Sequence, residues 1–187
     1  MKSLYLVALT SVVFLGSPAF AGGPDLTFEG NTRVAPTFHR PQANGSNAPI
    51  ALDDFGKNVA YQATEFFVLA SGNYTITMSS GFDNYLGLYS GSFDPGLPLT
   101  GSQVYNDTLS GNDSGFTTQL NLGTSYFAVA SGYGEEDKGA YTLSFFGPGE
   151  VVLGSAGAVP EPAASAMIIA GFGLVDGTLR QRRAAIA

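Results

Sequence analysis

Apolar and polar residues alternate with a period of two along the middle of this 187-residue chain. In the segment 74–79, Tyr, Ile and Met alternate with Thr, Thr and Ser, which is the pattern of a strand with one buried face. No helical period separates this segment from its neighbours. The sequence therefore predicts an all-β fold, a single antiparallel β-sandwich or jelly roll. Further short β-prone runs, each bounded by Gly, Asp, Asn or Ser, lie at 65–70, 84–90, 116–122, 125–130 and 140–146.

Turn-forming residues divide the chain into segments. Asn121-Leu122-Gly123-Thr124 predicts a tight hairpin between the runs before and after it, and Tyr133–Gly139 predicts a longer connection. Four prolines between residues 22 and 59 indicate a loop-rich segment with at most one or two edge strands. The predicted organisation is a loop-rich segment at 22–58, a β-sandwich core at 59–149 and a Gly/Ala linker at 150–158.

Composition excludes several classes of function. The chain has no Cys, which excludes disulfides, thiolate zinc sites and thiol nucleophiles. Between Gly22 and Val159 four bases oppose thirteen acids, a net charge near −9. A nucleic-acid partner is therefore not expected, because binding a phosphate backbone needs clustered Lys and Arg. His39 is the only histidine, so a multi-histidine metal cage is not expected either.

The N-terminus carries the pattern of a secretory signal peptide at residues 1–21, predicted to be helical. Lys2 precedes the apolar stretch Leu4–Leu15, and Ala19 and Ala21 form a small-x-small cleavage site. The apolar stretch would span about 18 Å as a helix, which is too short to cross a bilayer. We therefore expect export through the Sec translocon and cleavage by signal peptidase before Gly22.

The C-terminus has three parts in a fixed order within residues 159–187. A Pro160-Glu161-Pro162 motif comes first, an apolar segment at 163–179 follows, and bases then occupy positions 180–183. The 17-residue apolar segment is at the lower length limit of a transmembrane helix, and the bases would keep its far end in the cytoplasm. Both termini thus predict one orientation, with the body of the chain outside. The bases are Arg180, Arg182 and Arg183.

This tail resembles the PEP-CTERM sorting signal of Gram-negative bacteria. The resemblance implies a substrate of exosortase, a membrane-embedded protease or transpeptidase that processes such tails near the Pro-Glu-Pro motif, typically in bacteria that make exopolysaccharide and biofilm. It also implies a transient inner-membrane anchor with the body in the periplasm, followed by release to the outer surface or the extracellular space. Asp176 departs from the small or apolar residue usual at its position. The alternative is a permanent single-span anchor that is never processed.

The body resembles the bacterial pre-peptidase C-terminal type of jelly-roll domain. The resemblance rests on Phe66-Phe67-Val68, on the run Phe82–Tyr89, on the run Leu120–Val129 and on Gly139-x-Tyr141-x-Leu143. It implies an accessory, non-catalytic module. The acidic loop usual in that family reads Asn-Asp-Asp, whereas this chain has Asn106-Asp107-Thr108.

Catalysis is not expected. The carboxylates lie in predicted turns, where they act as turn acceptors, and His39 lacks a Gly-x-Ser-x-Gly elbow. Clustered Asp and Asn side chains are the ligands that calcium takes outside the cell, so a structural calcium ion is a candidate cofactor. Its candidate ligands are Asp83, Asn106, Asp107 and Asp113.

Tyrosine faces are candidate platforms for a sugar. Tyr85 and Tyr89 share one face of a predicted strand, opposite Leu86 and Leu88, so either set could be core. The favoured function is a non-enzymatic exported protein of the cell surface or extracellular matrix. The alternative is a carbohydrate- or calcium-binding accessory module that contacts exopolysaccharide, and a secreted hydrolase is less favoured.

Overall fold

The computed structural model describes residues 25–107 and 111–157, and within these ranges the regular structure is all β. The short apolar runs form strands because they end at Gly, Asn, Asp or Ser residues that allow the chain to turn. The strands are β1 (Leu26–Asn31), β2 (Thr37–Phe38), β3 (Val59–Val68), β4 (Gly72–Ser80), β5 (Asn84–Ser90), β6 (Ser102–Asn106), β7 (Ser114–Leu120), β8 (Tyr126–Gly132), β9 (Ala140–Phe146) and β10 (Val151–Leu153).

The strands form two sheets, and within each sheet all neighbouring strands are antiparallel. One sheet has four strands in the order β1-β9-β4-β7, and the other has the order β10-β3-β8-β5-β6. The short β2 pairs with the first residues of β3, and β10 pairs with its last residues, on Phe66–Val68. The predicted antiparallel β-sandwich is thereby confirmed.

The core between the sheets follows the alternation in the sequence. Tyr74, Ile76 and Met78 of β4 are fully buried, while the polar residues between them lie on the outer face. They belong to one apolar cluster with Phe66 of β3 and Phe145 of β9, whose rings lie 4.9 Å apart. Burial of these large apolar side chains stabilises the sandwich.

The six-stranded sheet is buried on both of its faces. Six of the seven residues of β5 are buried, because the chain between β2 and β3 and the connection from β5 to β6 fold over its outer surface. There they enclose a second apolar cluster. Its buried members are Phe38, Val59, Tyr85, Tyr89, Tyr105 and Val129.

The strand registers place the connections at two opposite ends of the sandwich. One end, which we call the proximal end, holds the turns 69–71, 121–125 and 147–150. It also holds the first and the last described residues, because Leu26 pairs with Phe145 and residue 156 bonds to Ser125. The distal end holds the turns 81–83 and 133–139 and the residues that follow β6. These assignments follow from Asn84 pairing with Gly132, and Ser90 with Tyr126.

The predicted hairpin at Asn121–Thr124 is wrong. The turn forms, with Gly123 at φ 73° and a hydrogen bond from Thr124 N to Asn121 O. However, β7 pairs with β4, whereas β8 pairs with β3 and β5. The turn therefore carries the chain from one sheet to the other. The pairing β5–β6, which includes a strand absent from the predicted series, is a hairpin instead.

The strands reach beyond the predicted core at 59–149. β1 and β2 lie in the segment 22–58, both at sheet edges, and β10 lies in the predicted linker 150–158. The predicted signal peptide with Ala19 and Ala21 lies outside the described residues. So does the predicted sorting signal, from Pro160 to its basic tail. Across 25–107 and 111–157, no helix is long and apolar enough to cross a membrane.

Candidate functional site: an aromatic and acidic cleft at the distal end

A buried arginine organises the distal end of the six-stranded sheet. The side chain of Arg40 is fully withdrawn from solvent, and its Nη1 lies 2.9 Å from Oδ2 of Asp53. Its Nε and Nη2 both donate to the main-chain oxygen of Tyr133, at 3.1 and 2.8 Å. A buried guanidinium needs such partners, because an unpaired buried charge is very costly.

Two tyrosine rings flank the guanidinium. Its central carbon lies 3.8 Å from the ring centroid of Tyr85 and 4.9 Å from that of Tyr133. Both distances are within the range of cation–π attraction. Burial raises the pKa of Tyr85 to about 12, although the Arg40 charge acts to lower it. The arginine therefore joins the segment before β3 to strand β5 and to Tyr133, the residue that follows β8.

A tight turn at 53–56 is held against Arg40. Phe55 N donates to Oδ1 of Asp53 at 2.8 Å, and Gly56 N donates to its main-chain oxygen at 3.2 Å. Arg40 N donates to Gly56 O at 2.9 Å, and Asp53 N donates to Arg40 O at 3.0 Å. The ring of His39 adds a 2.8 Å bond from Nε2 to the main-chain oxygen of Asp53. Position 56 requires glycine, since a Cβ there would overlap the Arg40 side chain.

The turn holds an aromatic ring at the surface. Phe55 is 71% exposed, and its ring stacks on Tyr133 with centroids 6.3 Å apart and planes 20° from parallel. Beside it lies a cleft of about 310 Å³. Its lining includes this aromatic pair, Gln42 and the acidic residues Asp53, Asp54 and Asp107.

Negative charge is concentrated around this cleft. The pKa of Asp83 is raised, first by partial burial and then by the nearby charges of Asp137 and Asp107, while Arg40 opposes the shift. Tyr133 N donates to the main-chain oxygen of Asp83 at 2.9 Å. The turn at 81–83, which precedes β5, is therefore bonded to Tyr133 of the aromatic pair.

The structure brings together part of the predicted calcium site. Asp107 is close enough to Asp83 for its charge to contribute to the raised pKa of Asp83. Asn106 Oδ1 accepts a 3.4 Å bond from Gly115 N, and Asp113 lies directly before β7. Among the described residues, no three His, Cys, Asp or Glu side chains are grouped so that they could hold a metal ion. The calcium site stays a prediction.

The predicted sugar platforms Tyr85 and Tyr89 are buried, at 1% and 0% exposure. The Tyr85 hydroxyl accepts from Ala43 N, and the Tyr89 hydroxyl donates to Pro98 O while it accepts from Tyr105 at 2.9 Å. Neither ring therefore presents a face to solvent. Leu86 and Leu88 on the opposite face are buried as well, so both sets are core.

Sequence reasoning did not identify Arg40, Asp53 or Phe55 as site residues. Two signals pointed towards them. Arg40 is one of only four bases between Gly22 and Val159, and Asp53-Asp54-Phe55-Gly56 places an aromatic residue in a turn-forming sequence. Their assembly depends on contacts between residues up to 93 positions apart, such as that of Arg40 with Tyr133.

No family model matches this chain, and no curated protein matches it significantly. Its function is therefore inferred from the sequence signals at its ends and from the geometry of the distal cleft.

Proposed function

We propose that this chain is a non-enzymatic exported protein of the cell surface or extracellular matrix, sorted and processed by exosortase through its C-terminal tail. The observation that carries the proposal is the order of three elements at 159–187: the Pro-Glu-Pro motif, the apolar segment and the terminal bases. The signal peptide at 1–21 supports it, because export places the body on the side of the membrane that the basic tail implies.

The positions of the described chain ends support this proposal. Asp25 bonds to Phe145 and Gly147, and residue 156 bonds to Ser125. Both predicted targeting segments therefore continue from the proximal end. The aromatic and acidic cleft lies at the distal end, so a protein tethered by its tail would hold the cleft away from the membrane.

We further infer that the sandwich is a jelly roll of the pre-peptidase C-terminal type. Most of its connections cross between the two sheets, as the turn at Asn121–Thr124 does. We also infer that this sandwich is flanked by an N-terminal signal helix and a C-terminal transmembrane helix.

Intact-mass measurement of the protein recovered from its exporting host tests the sorting proposal. We expect a chain that begins at Gly22 and has lost residues beyond the Pro160–Pro162 motif. In a strain without exosortase, or in a Glu161→Ala variant, the tail should be retained and the protein should remain in the inner membrane. A wild-type chain that keeps its full tail would instead identify a permanent anchor.

A second candidate function, a carbohydrate-binding accessory module, is favoured by the exposed Phe55 ring stacked over Tyr133 beside the cleft. Exposed aromatic faces beside polar groups suit the recognition of sugars. Retention of the protein on immobilised exopolysaccharide, lost in a Phe55→Ala variant, would support this function. The alternative form of this accessory module is a calcium-binding one, with the ion held in the region of Asp83 and Asp107. A secreted hydrolase is the least favoured function. It would be supported if an Asp83→Asn or Asp107→Asn change abolished turnover of a glycan.

A further inference from the structure

We propose that the distal cleft binds one ring of a glycan that carries a protonated amine, with the ring stacked on Phe55 and the ammonium group facing Asp54. The inference deepens the second candidate function, because it names the chemical class of sugar. It does not depend on how the tail is processed.

The shape of the cleft suits a single ring. Its volume of about 310 Å³ is at the lower end of the range for small-molecule sites, roughly 300–1,000 Å³. The inner side of the Phe55 ring lies on Tyr133, while 71% of the residue remains exposed. A large aromatic ring left open beside a concave surface offers the flat apolar contact that one face of a sugar ring can cover.

The platform is held in place before any ligand arrives. The amide of Phe55 is bonded to the Asp53 carboxylate, and that carboxylate is bonded to the buried Arg40. Tyr133, beneath Phe55, is held through its own main-chain oxygen by the same guanidinium. Because this turn is already ordered, binding loses less conformational entropy than it would on a flexible loop.

The charge of the cleft selects the class of sugar. Arg40 and Asp53 neutralise each other, and Asp54, whose side chain is largely exposed, adds a carboxylate to the lining. Lys57 approaches Asp54 only at 3.8 Å, with both side chains largely exposed, so this pair is weak. Asp83 and Asp137 add negative potential nearby. An ammonium group is therefore attracted, the aromatic faces add to that attraction, and a uronic acid is repelled.

Isothermal titration of the full chain, with three short oligosaccharides as probes, tests the proposal. The probes are a glucosamine oligomer, the same oligomer fully N-acetylated, and a galacturonic acid oligomer. We expect the amine-bearing oligomer to bind most tightly, and its binding to weaken as salt is added. The acetylated oligomer should bind more weakly, and the acidic oligomer should not bind.

Two variants assign the binding to this cleft. Phe55→Ala should weaken both the amine-bearing and the acetylated oligomer about fivefold or more, through loss of the stacking face. Asp54→Asn should weaken only the amine-bearing one. The matched controls lie in the connection between β5 and β6, outside the cleft lining. Leu97→Ala removes another exposed apolar side chain, and Asp94→Asn changes another carboxylate that caps its own turn. Both should leave binding unchanged.

Equal binding of the amine-bearing and acetylated oligomers would overturn the charge assignment. Stronger binding of the acidic oligomer, no binding of any probe, or binding that is unchanged in Phe55→Ala would overturn the site itself. The mass of the same preparation reports tail processing separately. A processed protein that binds none of the probes would contradict this inference alone and leave the sorting proposal standing.

Discussion

Arg40 and Asp53 form an ion pair of 2.9 Å whose side chains are 0% and 11% exposed. The pair connects two parts of the segment between β2 and β3, which covers the outer face of the six-stranded sheet. Asp53 begins the turn that carries Phe55, and Arg40 reaches the end of β8 through Tyr133. One buried charge pair therefore holds the covering segment in place and positions the cleft.

Replacing Arg40 with Met should lower the free energy of unfolding by about 3 kcal/mol. Methionine fills the space of the aliphatic stem of Arg40, but it leaves the buried Asp53 carboxylate without its ion-pair partner. Urea unfolding followed by circular dichroism measures the loss. Lys57→Met is the matched control, because its pair with Asp54 is exposed, and it should change stability by less than about 0.5 kcal/mol.

The double variant Arg40→Met with Asp53→Leu should recover part of the loss, since apolar replacements of a whole buried pair are often tolerated. An Arg40→Met protein as stable as the wild type would show that the pair does not hold this segment.

Gly87→Ala should destabilise the second apolar cluster. Gly87 pairs directly with Tyr105 across β5 and β6, and a Cβ at position 87 would overlap the Tyr105 ring. That ring is fully buried and cannot move into solvent. We expect a loss of about 1–3 kcal/mol from overpacking, measured by urea unfolding. Gly81→Ala, where a Cβ meets open space, should unfold close to the wild-type midpoint, and equal midpoints for both variants would refute the overlap.

High pH should unfold the protein through its buried tyrosines. Burial raises the pKa of both Tyr85 and Tyr141 from 10.0 to about 12, and it raises that of Tyr105 well above 10.0. The unfolded chain therefore loses these protons first. The stability they contribute is fully present below pH 10 and is lost as the pH rises towards 12 and beyond. Between its unfolded-state and its folded-state pKa, each such tyrosine lowers the free energy of unfolding by about 1.4 kcal/mol per pH unit.

Urea unfolding at a series of alkaline pH values, together with the absorbance of the tyrosine phenolates, measures this dependence. Tyr141→Phe should make the decline shallower, because one of the titrating groups is gone. Tyrosines that all ionise near pH 10 while the fold stays intact would contradict the expected burial.

Asp83→Asn should make the protein slightly more stable at neutral pH, by about 0.3 kcal/mol for an exposed charge. The folded-state pKa of Asp83 is raised, first by its slight burial and then by the charges of its neighbours Asp137 and Asp107. Its ionised form therefore opposes folding above that pKa, and the difference between variant and wild type should vanish as the pH falls below 3.8. Thermal melts at neutral and acidic pH measure the effect.

The same melts test the predicted calcium ion. If calcium is bound by this region, CaCl2 should raise the melting temperature of the wild type, EGTA should lower it, and Asp83→Asn should lose the response. A wild-type melt that neither reagent changes would remove calcium from the proposal.

The strand pattern was predictable from the sequence because it is local. The runs 84–90 and 140–146 coincide with β5 and β9, since alternation and flanking turn residues act over a few positions. The targeting segments predicted at both ends likewise rest on residues adjacent in the chain.

The pairing of strands and the cleft depended on tertiary structure. The turn at Gly123 formed as predicted, yet β7 and β8 joined different sheets, because a turn's chemistry does not specify which strands pair. Alternation likewise could not show that Tyr85 and Leu86 would both be buried, since burial of the outer face depends on a covering segment distant in the chain. Arg40, Asp53 and Tyr133 meet across that same contact. The sequence by itself determined most of the strands and carries the predicted targeting signals, and both are local patterns. Only tertiary structure decided where the cleft lies and what lines it, because it is built from residues that are adjacent only in the folded chain.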